Sequence, residues 1–175
     1  MTSLKLEIVQ EKPFTSRQEE AFLSLLRTTD CLQRAFHLGI RKQGLTSTQY
    51  NVLRILRGSQ PHGLTCSAIG ERMITAVPDI TRLLARLKSA DLIQQERDTQ
   101  DRRIVRTQIS AKGLELLQQM DPLIEHLPME LFRHMQEKDV QQLISLLEEV
   151  RRPYSMPVDP LTTQPASATS QNLPE

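Results

Sequence analysis

The sequence has few of the residues that build disulfide-rich, membrane-spanning or aromatic-rich proteins. Its 175 residues include no Trp, two cysteines and only 3% aromatic residues. Two distant cysteines, Cys31 and Cys66, provide neither a disulfide framework nor the spacing of a zinc site. No apolar run reaches the roughly eighteen residues that a membrane-spanning helix requires. We therefore expect a mainly helical, leucine-rich protein of about one domain.

Targeting signals and catalytic motifs are also missing. The segment MTSLKLEIVQEKPF lacks the basic start and apolar centre of a secretory signal, which predicts a cytoplasmic protein with no membrane partner. The sequence contains no nucleophile elbow, glycine-rich phosphate loop, HExxH or CxxC. We expect no enzymatic activity and no cofactor. We also expect no metal, because Pro128 should break the helix that would align Glu125, His126, Glu130 and His134.

Charge is segregated along the chain, although the net charge is only +1. Residues 41–113 carry thirteen Lys and Arg against six Asp and Glu, whereas residues 114–175 carry four against ten. A basic block of this size indicates an anionic partner, with double-stranded DNA as the candidate. The alternative is a dipolar protein whose charges are simply solvated.

Apolar periodicity and capping residues predict a series of helices. The first, ending at Gly44, is either one long helix or two joined near residues 28–30. Three shorter helices follow before the middle of the chain, and Pro78 is placed in the first turn of the last of them. The predicted N-caps are Thr15 or Ser16, then Ser47, Thr65 and Thr75.

Two strand-like segments come next. LIQQER and RIVRTQIS flank a charged turn and predict a β-hairpin. A helix-turn-helix followed by a hairpin is a winged helix. Ser110 is expected to cap a further helix that Pro122 and Pro128 kink or split, and a final amphipathic helix follows. The Pro-, Ser- and Thr-rich tail from residue 153 is predicted to be disordered.

An ordered set of motifs resembles the multiple-antibiotic-resistance regulator (MarR) family. These are LTSTQYNVLRIL, a TRLLARL helix, the wing pattern D-x-x-D-R-R and the following ISAKG, and the similarity extends over about residues 20–150. The resemblance implies a mainly α fold with a small β-hairpin wing. It also implies a homodimeric winged-helix transcription factor with N- and C-terminal dimerisation helices, whose DNA binding is often relieved by small molecules or oxidation.

The resemblance suggests a division of the chain into four parts. They are an arm and dimerisation helix at residues 1–44, a DNA-binding domain at 45–112, dimerisation helices at 113–152 and a disordered tail at 153–175.

DNA contacts are expected from the helix after Thr75 and from the wing. Recognition helices insert their N-terminal half into the major groove, where an arginine can bind guanine. We expect base contacts and their close neighbours at Val77, Pro78, Thr81, Arg82 and Arg86. The alternative is that both of these arginines pair with Asp79 and only solvate the helix.

The wing is predicted to reach the adjacent minor groove through one of its two neighbouring arginines. On an extended segment Arg102 and Arg103 cannot point the same way. The other arginine is expected to pair with Asp98 or Asp101, or to lie along the phosphates. Further phosphate contacts are predicted at Arg54, Thr65 and Ser67.

Two regulatory sites are predicted. The family architecture places an effector pocket near Phe36, Ile40, Arg41 and Tyr50, where an arginine would suit a small anionic aromatic ligand. Cys66 lies just inside a helix start, where the helix dipole lowers a thiol pKa, and Cys31 lies mid-helix. The alternative for both thiols is a small buried apolar side chain.

The leading hypothesis is a homodimeric repressor of its own or a nearby operon, released by a small ligand. It would bind a pseudo-palindrome whose half-sites lie about 10 base pairs apart. One alternative is a thiol-based redox sensor on the same scaffold. Another is a winged-helix protein-interaction module without specific DNA binding.

Overall fold

The computed structural model describes residues 3–98 and 101–154, and helices dominate this part of the chain. It contains a 3-10 turn at Arg152–Tyr154 and two strands, β1 (Ile93–Arg97) and β2 (Val105–Ile109). The α-helices of the described residues are α1 (Leu4–Glu7), α2 (Arg17–Arg41), α3 (Ser47–Arg57), α4 (Cys66–Glu71), α5 (Ile80–Ser89), α6 (Ala111–Phe132) and α7 (Glu137–Arg151). None of them is long and apolar enough to cross a membrane.

Helices α3, α4 and α5 with the hairpin β1–β2 form the winged helix. The strands are antiparallel, and Ile93 lies opposite Ile109. Leu64 forms an isolated antiparallel β-bridge with Thr107 of β2. The two residues exchange two backbone hydrogen bonds of 2.9 and 2.7 Å. The predicted fold class, mainly α with a small β-hairpin wing, is confirmed.

One apolar core holds these elements together. Burial of leucine and isoleucine side chains from the helices and both strands removes apolar surface from water and is the main stabilising contribution. Among the described residues, the apolar ones with no exposed surface are Ile40, Val52, Leu53, Leu56, Ile69, Leu87, Leu117 and Met120. Packing in this core therefore fixes the positions of α3, α5 and α6 relative to one another. The face of α5 that points away from the core is left exposed to solvent.

Two of the predicted helix starts are wrong by one to four residues. Thr46, not Ser47, caps α3, and it forms a reciprocal capping box with Gln49. Asp79, not Thr75, caps α5 by accepting the backbone N–H of Arg82 at 2.8 Å. In both cases the nearer polar side chain reaches the free N–H groups of the first turn. Ser16 and Thr65 cap α2 and α4 as predicted.

The two long helices are continuous. Helix α2 runs unbroken from Arg17 to Arg41, so one long helix replaces the alternative of two. Helix α6 contains Pro122 and Pro128 without interruption, so the predicted split is wrong. Close packing on α2 supports α6 there, because a Cβ on Gly39 would lie 3.6 and 3.7 Å from Leu123 and Leu127.

The chain divides into two compact units, one ending at Leu131 and the other beginning at Phe132. The first contains the winged helix with α1, α2 and nearly all of α6, and the second contains α7. The four-part division drawn from sequence remains a prediction. Of the predicted disordered tail, Pro153 and Tyr154 form part of the 3-10 turn, and residues 155–175 lie outside the described residues.

Candidate nucleic-acid interface

Helix α5 presents a polar and basic face to solvent. Its leucines Leu83, Leu84 and Leu87 are buried in the core. The helical period therefore directs the intervening positions outward, and all of the following are exposed: Thr81, Arg82, Ala85, Arg86 and Lys88. The side chains of Arg82 and Arg86 form no ion pair with any described residue. Asp79 binds only the backbone of Arg82, so the alternative of an arginine pair neutralised by Asp79 is not what the structure shows.

The residues before α5 lie differently from the prediction. Pro78 precedes the capping residue and is exposed in the loop, so it is outside the first helical turn. Val77 is half-buried and packs against the apolar core. An aspartate directly before the apolar-periodic Ile80 is itself a helix-start signal. With that signal the start of α5 could have been predicted correctly, and Val77 could have been assigned to the core.

The charged residues of the hairpin form separate ion pairs at its base and near its tip. Asp98 closes the base of the turn, where its backbone N–H donates to the Ile104 carbonyl at 2.9 Å. Its carboxylate lies 2.5 Å from Nε of Arg106, a residue that the sequence reasoning did not consider. Asp98 is therefore paired with β2 and not with either arginine of the tip.

Asp101 holds Arg103. One carboxylate oxygen of Asp101 accepts from the backbone N–H of Arg103 at 3.0 Å and from its Nε at 3.1 Å, and the other accepts from Nη2 at 3.2 Å. These contacts hold the pKa of Asp101 below its ordinary value. Arg102 is exposed and forms no ion pair within residues 3–98 and 101–154. Of the two neighbouring arginines, Arg103 is therefore the one that pairs with Asp101.

A groove of about 650 Å³ lies between α5 and the hairpin, and Cys66 at the start of α4 lies at one side of it. From α5 it is lined by Thr81, Ala85 and Lys88 among others, and from the hairpin by Gln95, Val105 and Thr107. The exposed face of α5 and the wing are therefore adjacent surfaces. This arrangement suits a duplex whose major and minor grooves lie side by side.

The predicted phosphate-binding residues are at the surface of the same domain. Arg54 and Ser67 are exposed on α3 and α4. The Thr65 hydroxyl already caps α4, since it accepts the Ala68 N–H at 3.2 Å and lies 3.1 Å from the Ser67 hydroxyl. Thr65 thus has less freedom to bind an outside phosphate than Ser67.

The cysteines lie in different surroundings. Cys31 is exposed, so its interpretation as a small buried side chain is wrong. Cys66 is half-buried, and its Sγ lies 3.9 Å from the Thr81 hydroxyl of α5. Both thiols are free, and a redox role remains a prediction.

A second opening, called here the α2–α3 cavity, has a volume of about 640 Å³. It lies between α2, α3 and the loop that leads into α5, and its lining residues include Asp30, Arg34, Phe36, His37, Tyr50, Asn51, Met73 and Ile74. Phe36 and Tyr50 meet edge to face, with ring centroids 5.6 Å apart. Burial raises the pKa of the Tyr50 phenol.

The structure brings together only half of the predicted effector pocket. Phe36 and Tyr50 line the α2–α3 cavity, whereas Ile40 is fully buried in the core and Arg41 is exposed at the end of α2 without lining the cavity. The arginine in the lining is Arg34, and Asp30 pairs with it through Nε at 3.0 Å and through Nη2. Sequence reasoning missed Asn51 entirely, because an asparagine inside an amphipathic helix carries no motif.

Comparison with known proteins agrees with these features. The MarR family profile matches residues 45–105. HTH-type transcriptional regulator MhqR of Bacillus subtilis is 27% identical over 138 residues, which cover 78% of this chain and 92% of that protein.

Solved structures show the same relationship. A MarR transcription factor from Planctomyces limnophilus is 32% identical, with a TM-score of 0.60, 78% of this chain covered and 98% of that one. BpsR of Bordetella bronchiseptica, whose DNA binding is regulated by 6-hydroxynicotinic acid, has the same fold at 22% identity and a TM-score of 0.67, with 75% and 98% covered. With its winged helix, basic α5 and D-x-x-D-R-R wing, this chain belongs to the MarR family of transcription regulators.

Proposed function

We propose that the protein is a homodimeric repressor that binds a pseudo-palindromic operator and is released by a small aromatic ligand. The observation that carries the DNA-binding part is the exposed face of α5 beside the wing, on which Thr81, Arg82 and Arg86 lie and where the two arginines form no ion pair with any described residue. Arg82 reads guanine, and the methyl group of Thr81 contacts thymine. Arg102 enters the minor groove, with Arg103 held at the surface by Asp101.

The homodimer is supported by apolar side chains that α2 leaves in solvent. Phe22 is 59% exposed and Leu26 is 53% exposed, and they are one helical turn apart. An exposed apolar surface of this kind is typical of a site that a partner covers. A second copy of the chain places two α5 helices at the spacing of successive major grooves, and homodimerisation is typical of the family.

Ligand release is supported by the α2–α3 cavity. Its lining includes the aromatic pair of Phe36 and Tyr50 and reaches Ile74 in the loop before α5. A ligand with different affinity for two positions of this loop shifts the population between them and so changes DNA binding. That an aromatic acid regulates DNA binding by BpsR supports a ligand of this type.

In vitro selection from random duplex DNA tests the proposal. The full-length protein should enrich an inverted repeat whose half-sites lie about 10 base pairs apart, centre to centre. Selection with Arg82→Ala, alongside the control Arg17→Ala, should lose the repeat only in the first variant, because Arg17 lies at the start of α2.

Enrichment of no common sequence would contradict specific DNA binding and favour the protein-interaction module. If instead the repeat is selected only by reduced protein, and Cys66→Ala or Cys31→Ala abolishes that dependence, the redox sensor replaces the ligand-released repressor.

A further inference from the structure

An ion pair joins the end of α3 to the middle of α6. Nη1 of Arg57, the last residue of α3, donates to both carboxylate oxygens of Asp121 on α6, at 2.8 and 2.9 Å. The two residues are 64 positions apart in the sequence. Neither of them belongs to α5, to the wing or to the lining of the α2–α3 cavity. The pair thus connects the winged helix to α6 without being part of either site.

Polar contacts attach α6 to the winged helix at two separate places. Ser110, directly before α6, donates its hydroxyl to the carbonyl of Asp91, which follows α5, at 2.6 Å. The Arg57–Asp121 pair is the second attachment, about three helical turns later, which is roughly 15 Å along the helix axis. The apolar packing between the two attachments has no preferred direction. The two polar attachments together therefore fix the angle at which the winged helix is held on α6.

The second attachment lies where α6 leaves the core of the winged helix. Met120 is fully buried in that core. A little further along α6, Leu123 lies beside Gly39 of α2 instead. Between them, Pro122 has no backbone N–H, so α6 lacks one of its hydrogen bonds and is less resistant to bending there. The ion pair of the adjacent Asp121 therefore restrains α6 at a point where the helix itself resists bending poorly.

We propose that the Arg57–Asp121 pair sets the half-site spacing that the dimer accepts in its operator. This inference rests on the proposed function, in which two copies of the chain present two α5 helices to one operator. The apolar face assigned to the dimer is on α2, and α6 packs on α2 at Gly39. The angle between the winged helix and α6 thus determines the distance between the two α5 helices. A fixed angle selects one spacing, whereas a loose angle accepts several.

The pair acts through a difference between operators. One added or removed base pair shifts a half-site by about 3.4 Å and rotates it by about 34° around the duplex. To follow it, the winged helices must change their angle on α6, and the pair then breaks in both protomers. The two side chains are 34% and 35% exposed, so each broken pair reduces affinity only modestly, and the two together by roughly tenfold. Half-site sequence is read by α5 and is unaffected.

The test measures the affinity of the full-length protein for the inverted repeat that it selects, and for the same repeat with one base pair inserted or removed between the half-sites. The wild-type protein should prefer the selected spacing by roughly tenfold or more. Asp121→Asn keeps the size of the side chain but removes its charge, and it should reduce this preference to about threefold or less. The half-site sequence that the variant selects from random DNA should remain that of the wild-type protein.

Further variants separate the pair from a general loss of stability. Arg57→Gln should have the same effect as Asp121→Asn. The double variant should have no larger effect than either single one, because the interaction is already lost in each. Glu20→Gln is the matched control, since it also replaces a carboxylate by an amide and removes the Arg17–Glu20 pair within α2. It should leave the spacing preference unchanged.

The outcomes separate this inference from the proposal on which it rests. If Asp121→Asn keeps the spacing preference of the wild-type protein, the inference is wrong and specific DNA binding stands. Equal affinity of the wild-type protein for all three spacings, or additive effects of the two single substitutions, also overturns it. If the wild-type protein selects no inverted repeat, the proposed function is contradicted together with the inference. Arg57→Gln decides the point if Asp121→Asn does not fold.

Discussion

At the scale of single residues, five charged side chains of the wing have different roles. Asp98 pairs with Arg106 at the base of the hairpin, and Asp101 pairs with Arg103 near the tip. Next to Arg103, Arg102 forms no ion pair within the described part of the chain. Opposite charges within hydrogen-bond distance orient a side chain even where solvent makes the pair energetically weak. Two carboxylates therefore orient Arg106 and Arg103, and Arg102 is the arginine for which we propose contact with DNA.

The strength of the Asp101–Arg103 contact should depend on pH. The folded pKa of Asp101 is lowered by Arg103, so the contact contributes above the ordinary carboxylate pKa and is lost as pH falls through the lowered value. In Arg103→Ala the pKa of Asp101 should rise toward its ordinary value, and in Arg102→Ala it should not change. A carbon-13 NMR titration of the Asp101 carboxyl group measures this. A rise in Arg102→Ala alone would mean that the two arginines have exchanged roles.

Loss of Arg102 should weaken DNA binding. A guanidinium in the minor groove makes charge-assisted contacts, so Arg102→Ala is expected to reduce operator affinity by roughly tenfold or more for each half-site. The slope of log affinity against log salt should become shallower by about two, one for each protomer of the dimer. Fluorescence anisotropy over a salt series measures both quantities. The control is Arg17→Ala, which removes a side chain that is 93% exposed on α2. Equal losses in both variants would argue against insertion of Arg102.

At the scale of elements, the wing depends on a close approach at Gly63. Gly63 has a φ of +64°, and a Cβ there would lie 2.7 Å from the Thr107 carbonyl oxygen. The neighbouring Leu64 pairs with the same residue of β2. Both the left-handed backbone and the contact exclude a larger residue at this position.

Gly63→Ala should therefore lower the free energy of unfolding by about 2 kcal/mol or more, from left-handed strain and overpacking together. Gly58→Ala is the matched control, because its Cβ would lie 3.7 Å from the nearest atoms and its φ is −72°. Urea unfolding followed by circular dichroism compares the two variants. If Gly63→Ala were as stable as Gly58→Ala, the packing of Leu64 against β2 would be looser than the structure has it.

Helix α6 shows how much of the architecture follows from local sequence and where local sequence fails. The leucine periods of α2, α3 and α5 and the alternation in the hairpin predict those elements, because burial of one face dominates their formation. Pro122 and Pro128 predict a kink or a split in α6, yet the helix is not split, and Leu123 and Leu127 pack at Gly39 along it. Local propensity is a weak guide wherever tertiary packing opposes it.

The candidate site follows the same rule. Arg82, Arg102 and Arg103 are recognisable because motifs with a fixed order contain them. Asn51 is not, because its Oδ1 accepts the backbone N–H of Ile74, which is distant in sequence. The pairing of Arg34 with Asp30 is a four-residue spacing that sequence could have provided, but the cavity beside it exists only in the fold.

At the scale of the whole molecule, the apolar face of α2 predicts self-association. The protein should sediment as a dimer, and Phe22→Asp combined with Leu26→Asp should give a folded monomer, because two charges would be buried without partners. Thr28→Asp, on the opposite side of α2, should leave the dimer intact. Analytical ultracentrifugation and circular dichroism together make the measurement. A dimer that survives the double substitution would place the interface elsewhere.

Recognition of a specific DNA sequence through α5 is the central claim, and a competition between duplexes tests it most directly. The measurement is the affinity of the wild-type protein and Arg82→Ala for the selected operator and for a scrambled duplex, at several salt concentrations. The wild-type protein should prefer the operator by roughly a thousandfold or more. Arg82→Ala should lose about 1–3 kcal/mol of that preference at each of the two half-sites, which removes most of it, and keep its affinity for scrambled DNA nearly unchanged. Equal affinity of the wild-type protein for both duplexes would contradict the claim.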